Sequence, residues 1–217
     1  YDDSQDIFIL SGAEDLVPIE RQSSVTRYQP RTEGLFARIL HHRDLGNDYW
    51  EVKSKDGLVS LYGTPEATSN NPAAIANPTN PTQIFAWKLT RTNDLFGNRI
   101  DYLYERDAVQ VTEGHQWDRL YLAEIRYGDY GDSANPQFLV RVKFSYEERP
   151  DPFSEYRSGF EIRTIRRCTQ IEVLTQPESE ILTRTYHFIY LDQRNDLPNL
   201  EQLLPINGVS LLSQVRV

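Results

Sequence analysis

Apolar and polar residues alternate along much of the second half of the chain. The clearest run extends from Phe138 to Tyr146, where an apolar side chain occupies every second position and Arg141, Lys143 and Ser145 lie between them. Successive side chains of a β-strand point to opposite faces, so a period of two predicts a strand with one apolar face. Similar alternation occupies residues 85–89, 100–105, 121–127 and 181–191.

The first half of the chain contains shorter apolar runs that are separated by turn residues. They occupy residues 7–10, 16–17, 35–40, 49–53 and 58–62. Asp56-Gly57, between the last two runs, is a strong signal for a tight hairpin. A final strand is predicted over 209–217, and a single helical turn near Leu200 is predicted with Asp196 as its cap. With about ten strands and no helical period, the pattern predicts an all-β fold, an antiparallel β-meander forming a curved sheet or a sandwich-like part of a larger β-shell.

The segment from Asp94 to Tyr104 combines a turn signal with a strand. Asp94-Leu95-Phe96-Gly97-Asn98 is followed by tyrosines at every second position. Short polar side chains and glycine favour tight turns, whereas aromatic residues favour strands. We therefore predict one corner of a repeating meander here. The residues predicted to matter structurally are Trp50, Trp87, Asp94, Gly97, Asn98, Tyr102 and Tyr104.

Residues 63–82 differ in composition from the segments around them. Pro65, Pro72, Pro78 and Pro81 lie among Asn, Thr, Ser and Ala, which predicts the longest loop of the chain. Farther along, a change of apolar parity after Ile162 predicts a β-bulge near Thr164. We interpret residues 1–217 as a single β-domain that carries this long Pro/Asn-rich loop.

Composition narrows the classes of function. The formal net charge of −9 argues against nucleic acid, whose phosphates need a basic surface, and against an anionic membrane surface. No apolar run approaches the ~18 residues that span a bilayer, so no membrane insertion is predicted. Cys168 is the one cysteine of the chain, which excludes an intramolecular disulfide. The absence of methionine and the start at Tyr1 indicate a segment of a longer chain.

Two motifs suggest a catalytic site and a metal site, but the surrounding sequence supports neither. Glu178-Ser179-Glu180 has the E-x-E spacing found at the active site of ADP-ribosylating toxins. It follows Pro177 in a predicted turn, however, and the chain contains no Ser-Thr-Ser segment to shape such a pocket. His41-His42 would suggest a metal, but adjacent side chains of a strand point to opposite faces and cannot ligate one ion well.

Other candidates also have structural explanations. Turn oxygens at residues 44–48 and 129–132 could hold calcium, but neither turn has the EF-hand spacing, and Asx turns account for them. Cys168 would have a lowered thiol pKa if its arginine neighbours pointed towards it, and a buried thiol is the alternative. Arg163, Arg166 and Arg167 are expected to pair with carboxylates of neighbouring strands. The residues predict no catalytic, cofactor-binding or metal site, and hence a protein that is not an enzyme.

Five segments resemble, in their order, the SpvB-type domain of the Salmonella plasmid virulence B protein family. That domain is also present in the B component of the insecticidal Tc toxin complexes. The matching segments are residues 6–19, 28–42, 49–63, 84–107 and 206–217. The element from Asp94 to Tyr104 also resembles a YD-repeat of Rhs proteins.

The resemblance implies a non-enzymatic structural segment of a secreted bacterial toxin, part of a β-sheet shell that encapsulates or delivers a toxic polypeptide. The implied partners are the remainder of the same chain, a C-component toxin subunit of the Rhs type and a channel-forming A component. The implied location is extracellular, after a stage in the cytoplasm of the producing bacterium. A second function stays open, since exposed Tyr and Trp side chains and the 63–82 segment would suit a glycan- or host-protein-binding module.

Overall fold

The computed structural model describes residues 1, 5–11, 14–67, 71–112, 114–175 and 179–217. The strands in the first half are β1 Phe8–Ile9, β2 Asp15–Arg21, β3 Val25–Pro30, β4 Arg38–Asp44, β5 Asn47–Lys53, β6 Val59–Tyr62, β7 Ala74–Asn77, β8 Asn80–Trp87 and β9 Leu89–Asn93. The second half contains β10 Arg99–Thr112, β11 His115–Tyr130, β12 Gln137–Glu155, β13 Ile162–Thr175, β14 Ile181–Tyr190 and β15 Leu212–Arg216. A 3₁₀ turn, Leu191–Gln193, and one short helix, α1 Leu200–Leu203, complete the described elements.

The strands form one large antiparallel sheet in which neighbours in sequence are neighbours in space. Thirteen strands follow the chain order from β1 to β15, and only the β7–β8 hairpin leaves it to form a separate two-stranded sheet, so that β6 pairs with β9. The large sheet is not closed, and strand accounts for 62% of the described residues against 3% for helix. The prediction of an all-β antiparallel meander is therefore confirmed.

The prediction of a loop over residues 63–82 is wrong for its second half. β7 and the beginning of β8 lie there, and Ala74 and Ile75 are only 1% and 2% exposed. Pro81 is compatible with strand β8 because it lies at an irregularity of the β7–β8 register, where no ladder hydrogen bond is needed from it. The part of the predicted loop at residues 68–70 lies outside the described residues.

The predicted irregularity near Thr164 is present, but the extra residues belong to the neighbouring strand. Phe153 pairs with Thr164 and Glu148 with Arg166, so residues 149–152 of β12 lie opposite Ile165 alone. Such a bulge bends the strand that carries the additional residues. β12 is also the longest strand, with 19 residues, and a strand of that length must follow the twist of its neighbours.

The helical turn near Leu200 is present with a different cap from the predicted one. Asn199 is the N-cap residue of α1, in a left-handed conformation with φ 57°. Asp196 instead accepts hydrogen bonds from the guanidinium of Arg194.

Within the part of the chain that the structure describes, no helix is long and apolar enough to cross a bilayer.

Two clusters of buried side chains lie on one face of the sheet, and the β7–β8 hairpin contacts both. The first cluster consists of Leu16, Tyr28, Ile39 and Trp50. The second consists of Ile75, Leu120, Phe160 and Ile162. Trp87, at the end of β8, packs against the first cluster, whereas Ile75 of β7 belongs to the second. The hairpin therefore covers this face, which is called the hairpin face below.

Candidate functional site

The predicted corner between β9 and β10 is organised by Asp94. Its Oδ1 accepts hydrogen bonds from the backbone N–H groups of Phe96 (2.8 Å) and Asn98 (2.9 Å), and its Oδ2 accepts one from the Asn98 side chain (2.6 Å). The side-chain hydrogen bond from Asn98 is the main reason why the pKa of Asp94 is lowered. Gly97 has a φ of 87°, a left-handed conformation that suits glycine. Asp94, Gly97 and Asn98 thus lie together in a rigid turn.

Tyr102 and Tyr104 follow that corner on the hairpin face. The Tyr104 hydroxyl donates a hydrogen bond to the Leu89 carbonyl oxygen at 2.9 Å, which fixes β10 to the beginning of β9. Burial raises the pKa of Tyr104 to about 12. Tyr102 is half-buried on the same face. We propose that both side chains stabilise the sheet, since aromatic residues on neighbouring strands contribute through cross-strand packing.

An aromatic cluster surrounds Trp50 at the start of the sheet. The imidazole of His41 stacks on Trp50 with ring centroids 4.1 Å apart, and Phe8 and Trp87 approach Trp50 edge-on at 4.9 Å and 5.8 Å. His42 points to the other face and stacks on Tyr49. The two adjacent histidines therefore occupy opposite faces, as the strand geometry predicts.

Asp48 connects this cluster to the hairpin. Its Oδ1 lies 2.9 Å from His41 Nε2 and accepts a hydrogen bond from Trp87 Nε1 at 3.0 Å. The Asp48 carbonyl oxygen accepts a second bond from Trp87 Nε1 and one from the side chain of Asn71 at 3.1 Å. Trp50 and Trp87, both predicted from the sequence, thus meet at one network. The sequence pattern indicated Asp48 only as one of the turn oxygens of residues 44–48, because its partner Trp87 is 39 residues away along the chain.

A cavity opens beside this network. It has a volume of about 620 Å³ and lies between β1, the ends of β4 and β5, the edge of β8 and the turn after β12. Its aromatic lining comprises Tyr1, Phe8, His41, Phe85 and Trp87, and its polar lining includes Asp6, Arg43, Asp48, Asn80, Gln83 and Arg157. A volume of this size and a mixed lining are typical of small-molecule sites.

A buried ion pair attaches the hairpin to the centre of the sheet. The Asp118 carboxylate, 3% exposed, accepts hydrogen bonds from the Ala76 N–H at 2.9 Å and from the Arg106 guanidinium. Arg106 also donates to the carbonyl oxygens of Asn71 and Ala74. Burial raises the pKa of Asp118. Because these bonds satisfy backbone groups of the hairpin, they fix its position on the face it covers.

The opposite face of the sheet carries a ladder of charges, and it is called the charged face below. Glu124 of β11 accepts hydrogen bonds from Arg126 on the same strand and from Arg141 on β12. Arg141 and Lys143 both contact Glu180. Glu180, the second glutamate of the E-x-E motif, is therefore held in ion pairs. Glu178, the first, lies outside the described residues.

The hairpin face continues as an apolar stripe beyond the hairpin. Val142 of β12 is paired with Ile125 of β11 and Val173 of β13. Two positions farther along β12, Phe144 is paired with Ile171, which in turn lies opposite Tyr186 of β14. These side chains are half-buried. The sheet therefore presents an apolar side and a charged side along the same strands.

One polar cluster resembles a catalytic triad in composition but not in geometry. His115 Nδ1 lies 2.8 Å from Glu161 Oε1, and Ser154 donates its hydroxyl hydrogen to the same carboxylate. A nucleophilic serine must instead donate to the imidazole that acts as its base. Ser154 is also an acceptor for the Arg163 guanidinium at 3.1 Å. The cluster therefore fixes β12 to β13 and offers no activated nucleophile.

The predicted arginine pairs are present and exclude an activated thiol. Arg166 donates to Glu105, and Arg167 to Glu147 and Asp192. Since both guanidiniums are engaged with carboxylates, burial dominates at Cys168 and raises its thiol pKa. Of the two alternatives for Cys168, the structure therefore favours the buried thiol over the activated one.

The turns considered for calcium are closed by their own hydrogen bonds. Asp44 Oδ1 accepts from the Gly46 N–H and the Asn47 side chain, and Asp132 Oδ1 accepts from the Ala134 N–H at 2.9 Å. Among the residues with described positions, no three His, Cys, Asp or Glu side chains are grouped to hold a metal ion. Asx turns thus account for both segments.

Comparisons with known proteins connect this architecture to one family. A family model described as Salmonella virulence plasmid 65kDa B protein matches residues 1–129 and 109–175. The protein named Mono(ADP-ribosyl)transferase SpvB of Salmonella typhimurium is 29% identical, and the match covers 71% of this chain and 32% of that protein. The namesake from Salmonella enteritidis matches to the same extent. The chain spans about a third of the length of the curated relatives it matches.

Solved structures share the fold. The N-terminal domain of effector protein SpvB from Salmonella typhimurium strain LT2 superimposes with a TM-score of 0.76 at 21% identity, over 98% of this chain and 80% of that one. The TcdB2-TccC3 structure matches with a TM-score of 0.71 at 23% identity, over 87% of this chain and 12% of that one. Because the family model extends over most of its residues, the chain belongs to the SpvB family.

Proposed function

We propose that this chain is a non-enzymatic wall segment of a secreted bacterial toxin, part of a β-sheet shell that encapsulates or delivers a toxic polypeptide. The relation to SpvB and to Tc toxin components supports a toxin-associated role.

The observation that carries the proposal is the two-sided character of the open sheet. Thirteen strands lie side by side in chain order without closing. One side is apolar around Phe144 and Ile171, and the other carries the charges around Glu124 and Arg141. An enclosing wall needs this combination, because a partly unfolded cargo exposes apolar groups whereas the outer surface must remain hydrated.

The absence of an enzymatic role is also a proposal. The relatives named as transferases are about three times longer than the region they share with this chain. Within the described residues, Ser154 and Glu180 are both engaged in structural contacts, and Cys168 has a raised pKa. We assign the transferase activity of those relatives to regions other than the one that this chain matches.

The same comparison supports a proposal for the partners. Structures with this fold include TcdB2 together with TccC3, and a Tc holotoxin pore of Photorhabdus luminescens. We propose that this chain acts together with the remaining domains of its own polypeptide, a C component of the Rhs type and a channel-forming A component. Its proposed location is outside the producing cell.

Site-specific photo-cross-linking in the full-length protein tests which side of the sheet meets the cargo. p-Benzoylphenylalanine replaces Phe144 on the apolar side in one variant and its neighbour Lys143 on the charged side in the other. The proposal predicts cross-links to the cargo polypeptide from position 144 and none from position 143. Cross-links of equal yield from both positions, or from position 143 alone, would contradict it.

A second function, a glycan- or host-protein-binding module, has one observation in its favour. The cavity of about 620 Å³ beside Trp87 combines aromatic and polar side chains.

A further inference from the structure

The pairing of strand β8 with β7 is irregular at two places, and both places border the cavity. At the first, Asn80 pairs with Asn77 and Ile84 with Ala76, so residues 81–83 have no partner on β7. At the second, Phe85 has no partner, because Ala86 is the next residue of β8 that pairs with β7. Bulges re-aim side chains and are frequent beside functional sites. The bulged part of β8 contributes Asn80, Thr82, Gln83 and Phe85 to the cavity lining.

The two amides of this segment are oriented by neighbouring residues. Asn80 Oδ1 accepts hydrogen bonds from the backbone N–H and the hydroxyl of Thr82, and Gln83 Oε1 accepts one from the Asn77 side chain at 2.7 Å. Each oxygen is therefore occupied. Neither amide nitrogen has a partner elsewhere in the described part of the chain, so both N–H₂ groups are available to donate to a bound molecule.

Aromatic rings form the apolar part of the same cavity. Phe85 is 41% exposed and borders the cavity together with Phe8 and Trp87. Trp87 is fixed by its two hydrogen bonds to Asp48, and Phe8 packs against it with ring centroids 5.9 Å apart. The rings are thus positioned before any ligand arrives, which lowers the entropic cost of binding.

The charges around the cavity balance one another. Asp6 and Asp48 contribute two carboxylates, and Arg43 and Arg157 contribute two guanidiniums. A balanced lining disfavours a phosphate or another strongly charged ligand. Neutral sugars match it, because each hydroxyl both donates and accepts hydrogen bonds and the C–H faces of the ring pack on aromatic side chains.

We infer that this cavity binds a neutral saccharide, with Asn80 and Gln83 donating to its hydroxyl groups and Phe85 packing on a ring face. The inference rests on the second function proposed above, the binding module. It does not depend on the wall function, because the cavity borders the first core cluster, whereas the apolar stripe of the wall lies on β11 to β14.

A glycan array that carries neutral, sialylated and sulfated oligosaccharides tests the inference, followed by calorimetric titration of the strongest neutral glycan. The variants are Phe85→Ala, which removes the exposed ring, and Gln83→Ala, which removes one amide. Phe96→Ala is the matched control, since Phe96 is 91% exposed in the β9–β10 corner and does not line the cavity. Thermal unfolding of all three variants verifies that they fold.

We expect neutral glycans to bind the unaltered chain, with a loss of about tenfold in affinity for Phe85→Ala and for Gln83→Ala and no loss for Phe96→Ala. Three results would overturn the inference: no neutral glycan bound, binding of charged glycans only, or equal binding by all variants. Reduced, carboxymethylated α-lactalbumin serves as an unfolded-polypeptide probe. If the unaltered chain binds it and Phe85→Ala abolishes that binding, the inference is also overturned, because the cavity would then be a peptide site. The cross-linking result at position 144 is independent of all these outcomes, so failure of the saccharide site and failure of the wall are distinguishable.

Discussion

Replacement of Glu124 by glutamine should remove a measurable part of the stability of the sheet. Glu124 lies on the charged face with a side chain 12% exposed, and it receives hydrogen bonds from Arg126 and Arg141, which are 33% and 26% exposed. Burial raises its pKa, but the bonds from Arg141 and Arg126 outweigh this effect and lower the pKa to about 2. The carboxylate is therefore bound more favourably in the folded state than in the unfolded chain.

The magnitude follows from the difference between the two pKa values. The ordinary value is 4.5, and a pKa unit corresponds to about 1.4 kcal/mol, so the full difference would be about 3 kcal/mol. Solvent around the two arginines screens the interaction, which reduces the expected contribution to about 1–2 kcal/mol. A group whose pKa is lowered by folding stabilises the protein above its unfolded pKa. This contribution is lost as the pH falls from about 4.5 towards 2.

Urea unfolding followed by tryptophan fluorescence measures the effect. We expect Glu124→Gln to lower the free energy of unfolding by about 1–2 kcal/mol at pH 7 and by close to zero near pH 2. Glu148→Gln is the control, because Glu148 is exposed on β12 and forms no ion pair within the described residues. If Glu124→Gln lowered the free energy of unfolding equally at both pH values, the ionised carboxylate would not be the source of the stabilisation.

Two substitutions and one measurement of thiol reactivity test other parts of the structure. Gly97→Val should destabilise the β9–β10 corner by about 1–3 kcal/mol, because valine is strained at a φ of 87°, and an unchanged melting temperature would contradict this. Trp87→Phe removes the N–H that bonds Asp48 and should cost about 1–3 kcal/mol in urea unfolding, so unaltered stability would count against the network. Cys168 should react with a disulfide reagent at pH 8 far more slowly in the folded protein than in urea, since burial raises its pKa, whereas equal rates would show that the thiol is accessible and activated.

The strands from β10 to β14 were predictable because their pattern has one physical cause. Alternation from Phe138 to Tyr146 reflects a sheet with an apolar and a charged side, and the structure places those residues accordingly. Arg99-x-Asp101 and Glu124-x-Arg126 carry a related signal, since residues two apart share a face of a strand and can pair. The spacing alone would have indicated these ion pairs.

The β7–β8 hairpin could not be predicted from local sequence. Its proline and asparagine content is typical of loops, and its strands depend on contacts with residues far along the chain. The Ala76 N–H is satisfied by Asp118, and the Ala74 carbonyl oxygen by Arg106. Tertiary hydrogen bonds of this kind override local propensity.

Some residues of the candidate site were likewise predictable from the sequence, and others were not. Trp50 and Trp87 stood out as large aromatic residues in strand patterns. Asp48, which bonds Trp87 and His41, stood out only as a turn residue. The cavity lining depends on Gln83 and Phe85, which lie at bulges of β8 that arise from its register with β7. A register irregularity is a property of two strands together, so one strand's sequence does not reveal it.

Protease protection of the cargo tests the wall function most directly. The full-length protein is compared with a form that lacks residues 84–107, and therefore the second half of β8, all of β9 and most of β10. Each is incubated with a nonspecific protease, and the survival of the cargo polypeptide is followed by gel. Circular dichroism of both forms verifies that the remaining sheet is folded. We expect the cargo to survive in the intact protein and to be digested when the segment is missing. Equal digestion of the cargo in both forms would show that this sheet does not enclose it.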